Sequence, residues 1–344
     1  MAVTLKQIAE SVGLSVSAVS QILNRRPCNF CSEEKKKDVI RTAKELGYKQ
    51  KFADKINRGD TTGTVAILKR THHTMEVDQL VIRMLNKFEE ISCSCYVVNF
   101  PRNSDVLSRV RDLIDRGVER FVLMMPVWNE DENKEFLQWN ELAELIKKHN
   151  CTYISYGPSG NRYVIQDFAP AVKTTVQFFL NKIGTSFRML LPLQGSNREK
   201  ALYECFPDLP PETVRERFIS PIAEERLRAI NSEDEIIRLG YQLTSELLDS
   251  EPDIRGIYYM SDQLALGGIH ALLARGLTPG KDIILAGFND FPGVRYCGYP
   301  VSTAAHDLDA LSEALVAESC TVGSCQRLIP PKIMIREQKI SLYD

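Results

Sequence analysis

Thr4-Leu5-Lys6-Gln7-Ile8-Ala9-Glu10-Ser11-Val12-Gly13-Leu14-Ser15-Val16-Ser17-Ala18-Val19-Ser20-Gln21-Ile22-Leu23-Asn24 is the stretch on which the reading of this chain turns. Thr4 followed three residues later by Gln7 has the spacing of a capping box, which satisfies two free N–H groups at a helix start. Leu5, Ile8, Ala9 and Val12 then fall on one face at helical spacing. Gly13 ends this helix, because glycine accepts the left-handed conformation a tight turn demands. Ser15 is placed to cap a second short helix, with Val19, Ile22 and Leu23 facing inward. Two short helices joined by a glycine turn make a helix-turn-helix, whose second helix enters a DNA major groove; alone, the pattern also fits an ordinary helical hairpin.

Outward from this run, Ser32 caps a third helix, with Glu33 and Glu34 at its positive N-terminal end. Val39, Ile40, Ala43 and Leu46 are its expected buried stripe, and Gly47 stops it. Charge separates along the chain. Residues 1–60 hold 12 Lys+Arg against 7 Asp+Glu, and the remainder 31 against 38. A basic head on an acidic body is the footprint of a DNA-binding module joined to something else, which the net charge of −2 conceals. At 344 residues, 44% apolar and 26% charged, the chain has the size and composition of a soluble globular protein with two or three cored domains. No apolar run approaches membrane-spanning length, and the first residues lack a signal peptide's apolar segment, so a cytoplasmic protein without membrane contact is expected.

With the three helices placed, Val3-Thr4-Leu5, Ile8-Ala9, Val12-Gly13-Leu14-Ser15, Val19-Ser20, Ile22-Leu23-Asn24 and Leu46-Gly47-Tyr48 together resemble the head-piece of the lactose-repressor family of transcriptional regulators. The resemblance implies that Val16, Ser17 and Gln21 read base edges. Gln21 suits a bidentate pair with adenine and Val16 a thymine methyl. It further implies contacts from Thr4 and Leu5 at the head's start, and phosphate contacts from Ser15, Ser20, Asn24, Ser32, Lys35 and Tyr48 that set register. Lys35-Lys36 stands where relatives carry Thr-Arg, and Ala18 where Thr is common. Residues 1–48 are thus the expected head and 49–62 a polar linker. In the family the linker inserts an apolar wedge into the minor groove. Here Gln50-Lys51 replaces the usual Pro-Asn; ungapped alignment puts Asn57 at the wedge position, and a one-residue shift puts Ile56 there, the better wedge chemically.

From Thr64 onward apolar strands alternate with helices. Strands are expected at Thr64–Leu68, Cys95–Phe100, Phe121–Met125 and Thr152–Tyr156, with helices between them, a grammar that predicts a parallel sheet covered on both faces. After Gly157-Pro158 it restarts, with strands at Tyr163–Ile165, Phe187–Leu191, Gly256–Met260 and Ile283–Gly287. Two such units read as two doubly wound parallel-sheet lobes with a ligand cleft at the strand C-terminal ends. Tyr259-Met260-Ser261-Asp262-Gln263-Leu264-Ala265-Leu266-Gly267, Gly276-Leu277-Thr278-Pro279-Gly280-Lys281-Asp282-Ile283, Gly287-Phe288-Asn289-Asp290, Pro300-Val301-Ser302-Thr303 and Ile333-Met334-Ile335-Arg336-Glu337 resemble the effector-binding core of the same family. That implies a periplasmic-binding-protein-like α/β core at 63–344 whose lobes exchange segments: an N-lobe of about 63–158 plus 292–320, and a C-lobe of about 159–291 plus 321–344.

Four residues stand at expected cleft positions. Arg198 opens a helix after the strand Phe187–Leu191, where the family's matching Arg holds effector hydroxyls or a carboxylate. Asp262 and Asp290 each follow a strand, where a carboxylate can accept from vicinal hydroxyls. Trp128, after Phe121–Met125, can stack on an apolar sugar face. Gly184-Thr185 replaces the family's Gly-His, and Ala201 a glycine three residues after the Arg.

Nothing in the chain reads as an enzyme. It has no P-loop, no Gly-x-Gly-x-x-Gly after Thr64–Leu68, and no placeable Ser-His-Asp set. Nine cysteines without repeated spacing argue against a disulfide framework. Cys28 and Cys31 form a CxxC without the further ligands a zinc site needs, so neither metal nor cofactor is expected. The expectation is a repressor that binds a pseudo-palindromic operator as a homodimer, with no leucine heptad after Ile340 for a tetramer. Its effector is expected to be a carbohydrate, with a nucleobase co-repressor as the alternative. A soluble sugar-binding or α/β enzyme protein without DNA binding is the competing class.

Overall fold

Three helices build the head and two six-stranded sheets build the core in the computed structural model, which is described for residues 3–23, 31–48, 62–70, 75–100, 105–124, 133–157, 160–192, 197–230 and 232–337. Helices α1 (Leu5–Val12), α2 (Val16–Leu23) and α3 (Glu33–Glu45) close on a small core of Ile8, Ala9, Val12, Val19, Ile22, Val39 and Ala43. The local signals act as the sequence implies. Thr4 N donates to Gln7 Oε1 at 2.8 Å, and Gln7 N donates back to Thr4 Oγ1 at 3.4 Å. Gly13 caps α1 in the left-handed region at φ 65°, where a side chain would be strained. Ala18 N donates to Ser15 Oγ at 3.1 Å, and Lys35 N to Ser32 Oγ at 3.3 Å. One expectation fails: Ile40 and Leu46 are 52% and 41% exposed. Val39 and Ala43, one turn apart, take the whole contact with the head core, and Ile40 lies around the helix from them.

The first sheet has the order β2 (Ser94–Phe100), β1 (Thr64–Arg70), β3 (Val118–Met124), β4 (Thr152–Tyr156), β5 (Arg162–Gln166), β11 (Cys325–Ile329), all parallel. The second runs β7 (Ile219–Ile222), β6 (Phe187–Pro192), β8 (Gly256–Tyr259), β9 (Ile284–Ala286), β10 (Val301–Ala305), β12 (Lys332–Met334). Only the last of these pairs antiparallel. In each lobe the order reverses beside the first strand, which leaves a crevice at the strand ends. Apolar clusters fill both faces of each sheet, as parallel strands require. In the second lobe, α11 (Glu233–Ser250) and α12 (Asp262–Ala274) touch backbone to backbone. A Cβ on Gly240 would lie 2.1 Å from Leu264 O and one on Gly267 1.9 Å from Ile237 O, so only glycine fits at that crossing.

The lobe boundaries differ from the sequence reading. Strand β5, expected to open the C-lobe at about 159, pairs with β4 and β11 in the first sheet. The segment returned to the first lobe is α14 (Leu308–Ser319) with β11, rather than 292–320. Helix α13 (Pro292–Tyr296) packs on α12, and β10 pairs with β9, in the second lobe. The expected restart after residue 157 is therefore not a lobe boundary, because long-range pairing decides which sheet a strand joins. No helix among the described residues is long and apolar enough to cross a membrane.

The chain therefore passes between lobes three times, at 166–168, 305–308 and 329–332. Gln166, buried at the end of β5, ties these passages together. Its Nε2 donates to Ile329 O, and its Oε1 accepts from Asp307 N at 3.3 Å. Asp167 N also donates to Ile329 O at 2.7 Å. Lys332 pairs with Asp307 at 3.2 Å across the second and third passages. Gln166→Leu strands the Asp307 amide without a partner and is expected to destabilise the full chain by about 1–3 kcal/mol, read as a lowered urea midpoint. An unchanged midpoint would contradict the tie.

Candidate DNA interface and effector cleft

In the head, α2 turns Ala18, Val19 and Ile22 inward, so its remaining faces look out. Val16, at 44% exposure, and Ser17 stand in solvent, with Gln21 and Ser20 half-buried beside them. Val16, Ser17 and Gln21 thus lie on faces of α2 turned away from the head core. Thr4, Ser15 and Ser32 are exposed, but each hydroxyl already serves its helix cap. Leu5 and Tyr48 pack partly against the head core, which suits them to positioning more than to reading. Lys35 pairs with Asp38 at 3.5 Å and Lys36 with Glu33 at 2.6 Å on the exposed side of α3. Such surface pairs are worth well under about 1 kcal/mol and yield readily to a phosphate. Asn24, Ile56 and Asn57 lie outside the described residues, as do Cys28 and Trp128.

The core site forms where the second sheet reverses order. Arg198, in the short helix α8 (Asn197–Tyr203) after β6, is only 7% exposed. Its Nη1 donates to Met260 O, just past β8, at 2.5 Å, bridging the two strands that flank the crevice. The guanidinium lies between the rings of Phe168 and Phe288, at 4.5 and 4.7 Å from their centroids. A weakly hydrated, planar cation suits this setting. Burial still holds its pKa below the usual arginine range. His306, on the second passage between lobes, sets its ring edge-on to both phenyl groups and faces Asn289 Oδ1 through Nε2 at 3.2 Å. Burial, with Arg198 adding repulsion, pushes His306 down to about 4, so the imidazole is neutral at physiological pH. Its Nδ1 is buried and finds no hydrogen-bond partner among the described residues.

The two carboxylates take other roles. Asp262 is fully buried, and its oxygens accept from Thr303 Oγ1 at 2.8 and 3.0 Å and from Phe291 N at 2.9 Å. Thr303 Oγ1 in turn accepts from Asp290 N at 3.2 Å. Asp262 therefore suspends the loop Asn289–Phe291 rather than facing a ligand. That loop carries the left-handed residues Asn289 and Asp290, at φ 100° and 49°, a conformation held by its surroundings. Asp290 accepts from Arg336 Nη2 at 2.7 Å and from Arg295 Nη2, and is an ion-pair centre. Of the three residues read as effector ligands that lie among the described residues, Arg198, Asp262 and Asp290, only Arg198 is set among aromatic walls. Sequence reading missed Phe168, Phe288, Asn289 and His306. The signal was an aromatic or polar residue at each lobe passage and strand end. Among the described residues no group of side chains could hold a metal ion.

No family profile matches the chain. A curated relative from Haemophilus influenzae (strain PittEE), named HTH-type transcriptional repressor PurR, is 21% identical over 98% of this chain and 99% of its own length. Among solved structures, the lac repressor dimer bound to operator and an anti-inducer superposes with a TM-score of 0.67 at 18% identity, covering 99% of this chain and 100% of that one. A complex of the transcriptional regulator CelR with cellobiose gives 0.61 at 18% identity, covering 98% and 99%. The resemblance to the lactose-repressor family thus extends over the whole chain, head and two-lobed core together. By their names these relatives are repressors and regulators of transcription.

Burial raises Asp262 from 3.8 to about 8, with the Phe291 N–H and Thr303 pulling the other way. Between those values the folded chain keeps a proton that the unfolded chain releases. Its contribution to stability is full below about pH 4 and is lost as pH climbs through about 8. Asp262→Asn keeps both hydrogen bonds and removes this titration. The melting temperature of the variant relative to the native chain is expected to rise steadily from pH 4.5 to 8.5. A difference that stays constant over that range would overturn the assignment.

Proposed function

We propose that the chain is a transcriptional repressor whose three-helix head grips a pseudo-palindromic operator as a homodimer, and whose two-lobed core sets that grip in response to a small ligand. The observation that carries this is the outward face of α2, with Val16, Ser17 and Gln21 presented beside two capped helix starts, on a chain similar along its full length to operator-binding repressors. Ligand acts by favouring one arrangement of the lobes over another, which it can do only to the extent that it binds the two arrangements differently.

The effector read here is a nucleobase rather than the sugar first expected. Two phenyl rings, a guanidinium edge and a neutral imidazole with one open nitrogen match the faces and edges of a flat nitrogenous heterocycle. The carboxylates that would grip vicinal hydroxyls are engaged by Thr303, Phe291, Arg295 and Arg336. A relative named for purine repression points the same way. The sugar reading stays in view through the cellobiose complex of a similar structure.

Selection of the full chain against a randomised duplex pool is expected to enrich two-fold symmetric sites, with affinity falling steeply as salt rises. Gln21→Ala should lose about 1–3 kcal/mol on the enriched site, by fluorescence anisotropy, and leave non-specific binding intact. Failure to enrich any symmetric site would sink the DNA-binding reading.

A thermal-shift series with adenine, guanine and hypoxanthine against ribose and cellobiose separates the effector classes. A purine is expected to raise the melting temperature of the native chain and not that of Arg198→Met. A shift from the sugars alone would return the site to carbohydrate.

A further inference from the structure

Away from both sites, the lower edge of the first lobe gathers chemistry that operator and effector binding leave unused. Arg120, on β3, directs one nitrogen, Nη1, at two sulfurs: Cys93 Sγ at 3.4 Å and Cys320 Sγ at 3.4 Å. The two thiols are therefore no further apart than twice that distance. They come from opposite ends of the fold. Cys93 closes the turn between α4 (Met75–Glu90) and β2, with its N–H donating to Phe88 O at 2.9 Å. Cys320 is the C-cap of α14, the helix that returns to this lobe from far along the chain. Both elements pack into one apolar cluster, which includes Phe88, Leu315 and Val316 with Cys93 against it. Their backbones are therefore anchored to that cluster, and the Arg120 guanidinium touches both sulfurs.

Burial pushes Cys95 up to about 12 and Cys151 up to about 11, and it raises Cys205, Cys297 and Cys325 as well. Thiols so held stay protonated and inert. Cys320 is exposed and Cys93 half-buried, which suits an attacking thiol with a resolving one.

We propose that Cys93 and Cys320 form a peroxide-reactive dithiol, a modification site in the first lobe that links β2 to α14 on oxidation. Cys320 sulfur, as thiolate, attacks one oxygen of a hydroperoxide. The O–O bond breaks and an alcohol, or water from hydrogen peroxide, leaves with the proton. The product is a sulfenic acid at Cys320. Cys93 sulfur then displaces that hydroxyl group, which departs as water with the Cys93 proton, and the S–S bond forms as Arg120 swings aside. Two thiols lose two electrons, and one hydroperoxide gains them.

The test treats the full chain with hydrogen peroxide, caps remaining thiols and maps the peptides by mass spectrometry. The expected product is a Cys93–Cys320 linked peptide pair that dithiothreitol reverses. Cys93→Ser should abolish it and leave a sulfenic acid at Cys320, trapped by dimedone. Cys320→Ser should abolish it and leave Cys93 unmodified. Circular dichroism melts establish that both variants fold. Oxidation of Cys320 straight to sulfinic or sulfonic acid in the native chain overturns the proposal, as does a link to any other cysteine or no oxidation of the pair at all.

Discussion

Two lobes joined by three passages of chain can move only about the points where those passages run, and Gln166 fixes those points. One side-chain amide donates to the third passage at Ile329 O and accepts from the second at Asp307 N, while its own backbone is the first. A buried amide is costly unless both of its ends are used, so it tolerates few alternative arrangements. The consequence reaches the cleft. Phe168 lies two residues beyond Gln166 on the first passage, and His306 immediately precedes Asp307 on the second. The aromatic walls around Arg198 are therefore hung from the same knot that ties the three passages together.

Charge burial orders the rest of the cleft. The guanidinium of Arg198 is kept from water by two rings and, among the described residues, holds one backbone carbonyl, Met260 O. Asp262 and Asp290, by contrast, are fully occupied. Asp262 hangs the Asn289–Phe291 loop through Thr303 and Phe291, and Asp290 balances Arg295 and Arg336. Removing either acid would cost loop geometry before it cost any ligand contact. Arg336 also ties the segment after β12 back to β10, by its own N–H to Ser302 Oγ at 3.1 Å and by Nη1 to Val301 O at 3.2 Å. Hence the ion pair and the C-terminal end of the fold are one device.

The head was legible in sequence because its determinants are local. Thr4 with Gln7, Gly13, Ser15, Ser32 and Gly47 each act within a few residues of themselves, and each does what its chemistry implies. Ile40 and Leu46 went wrong because helical spacing alone admits a wider apolar stripe than a domain this small can cover. The parallel sheets were legible from the alternation of apolar runs, but the lobe to which β5 or β10 belongs is a matter of pairing across the chain. The site shows the same limit more sharply. A carboxylate after a strand was correctly placed in every case. Whether it faces a ligand or its own fold depends on partners such as Thr303, 41 residues from Asp262, and Arg336, 46 residues from Asp290. No local spacing carries that.

What joins head to core is equally a question of partners. The chain enters the first sheet at Thr62 and Gly63, and Glu119 on β3 takes both amides, at 2.5 and 3.3 Å, while Thr62 Oγ1 donates to Gly117 O at 2.5 Å. Thr64 N closes the turn onto Thr62 Oγ1 at 3.2 Å. This point of attachment is therefore fastened to a central strand of the lobe rather than to a loose edge. A fastening of that kind matters only if something downstream must feel the lobe move. Were the linker attached to a yielding loop, a rotation about the Gln166 knot would be absorbed before reaching the head. With Glu119 clamping two successive amides, residues 62 and 63 are held as part of the sheet from its central strand.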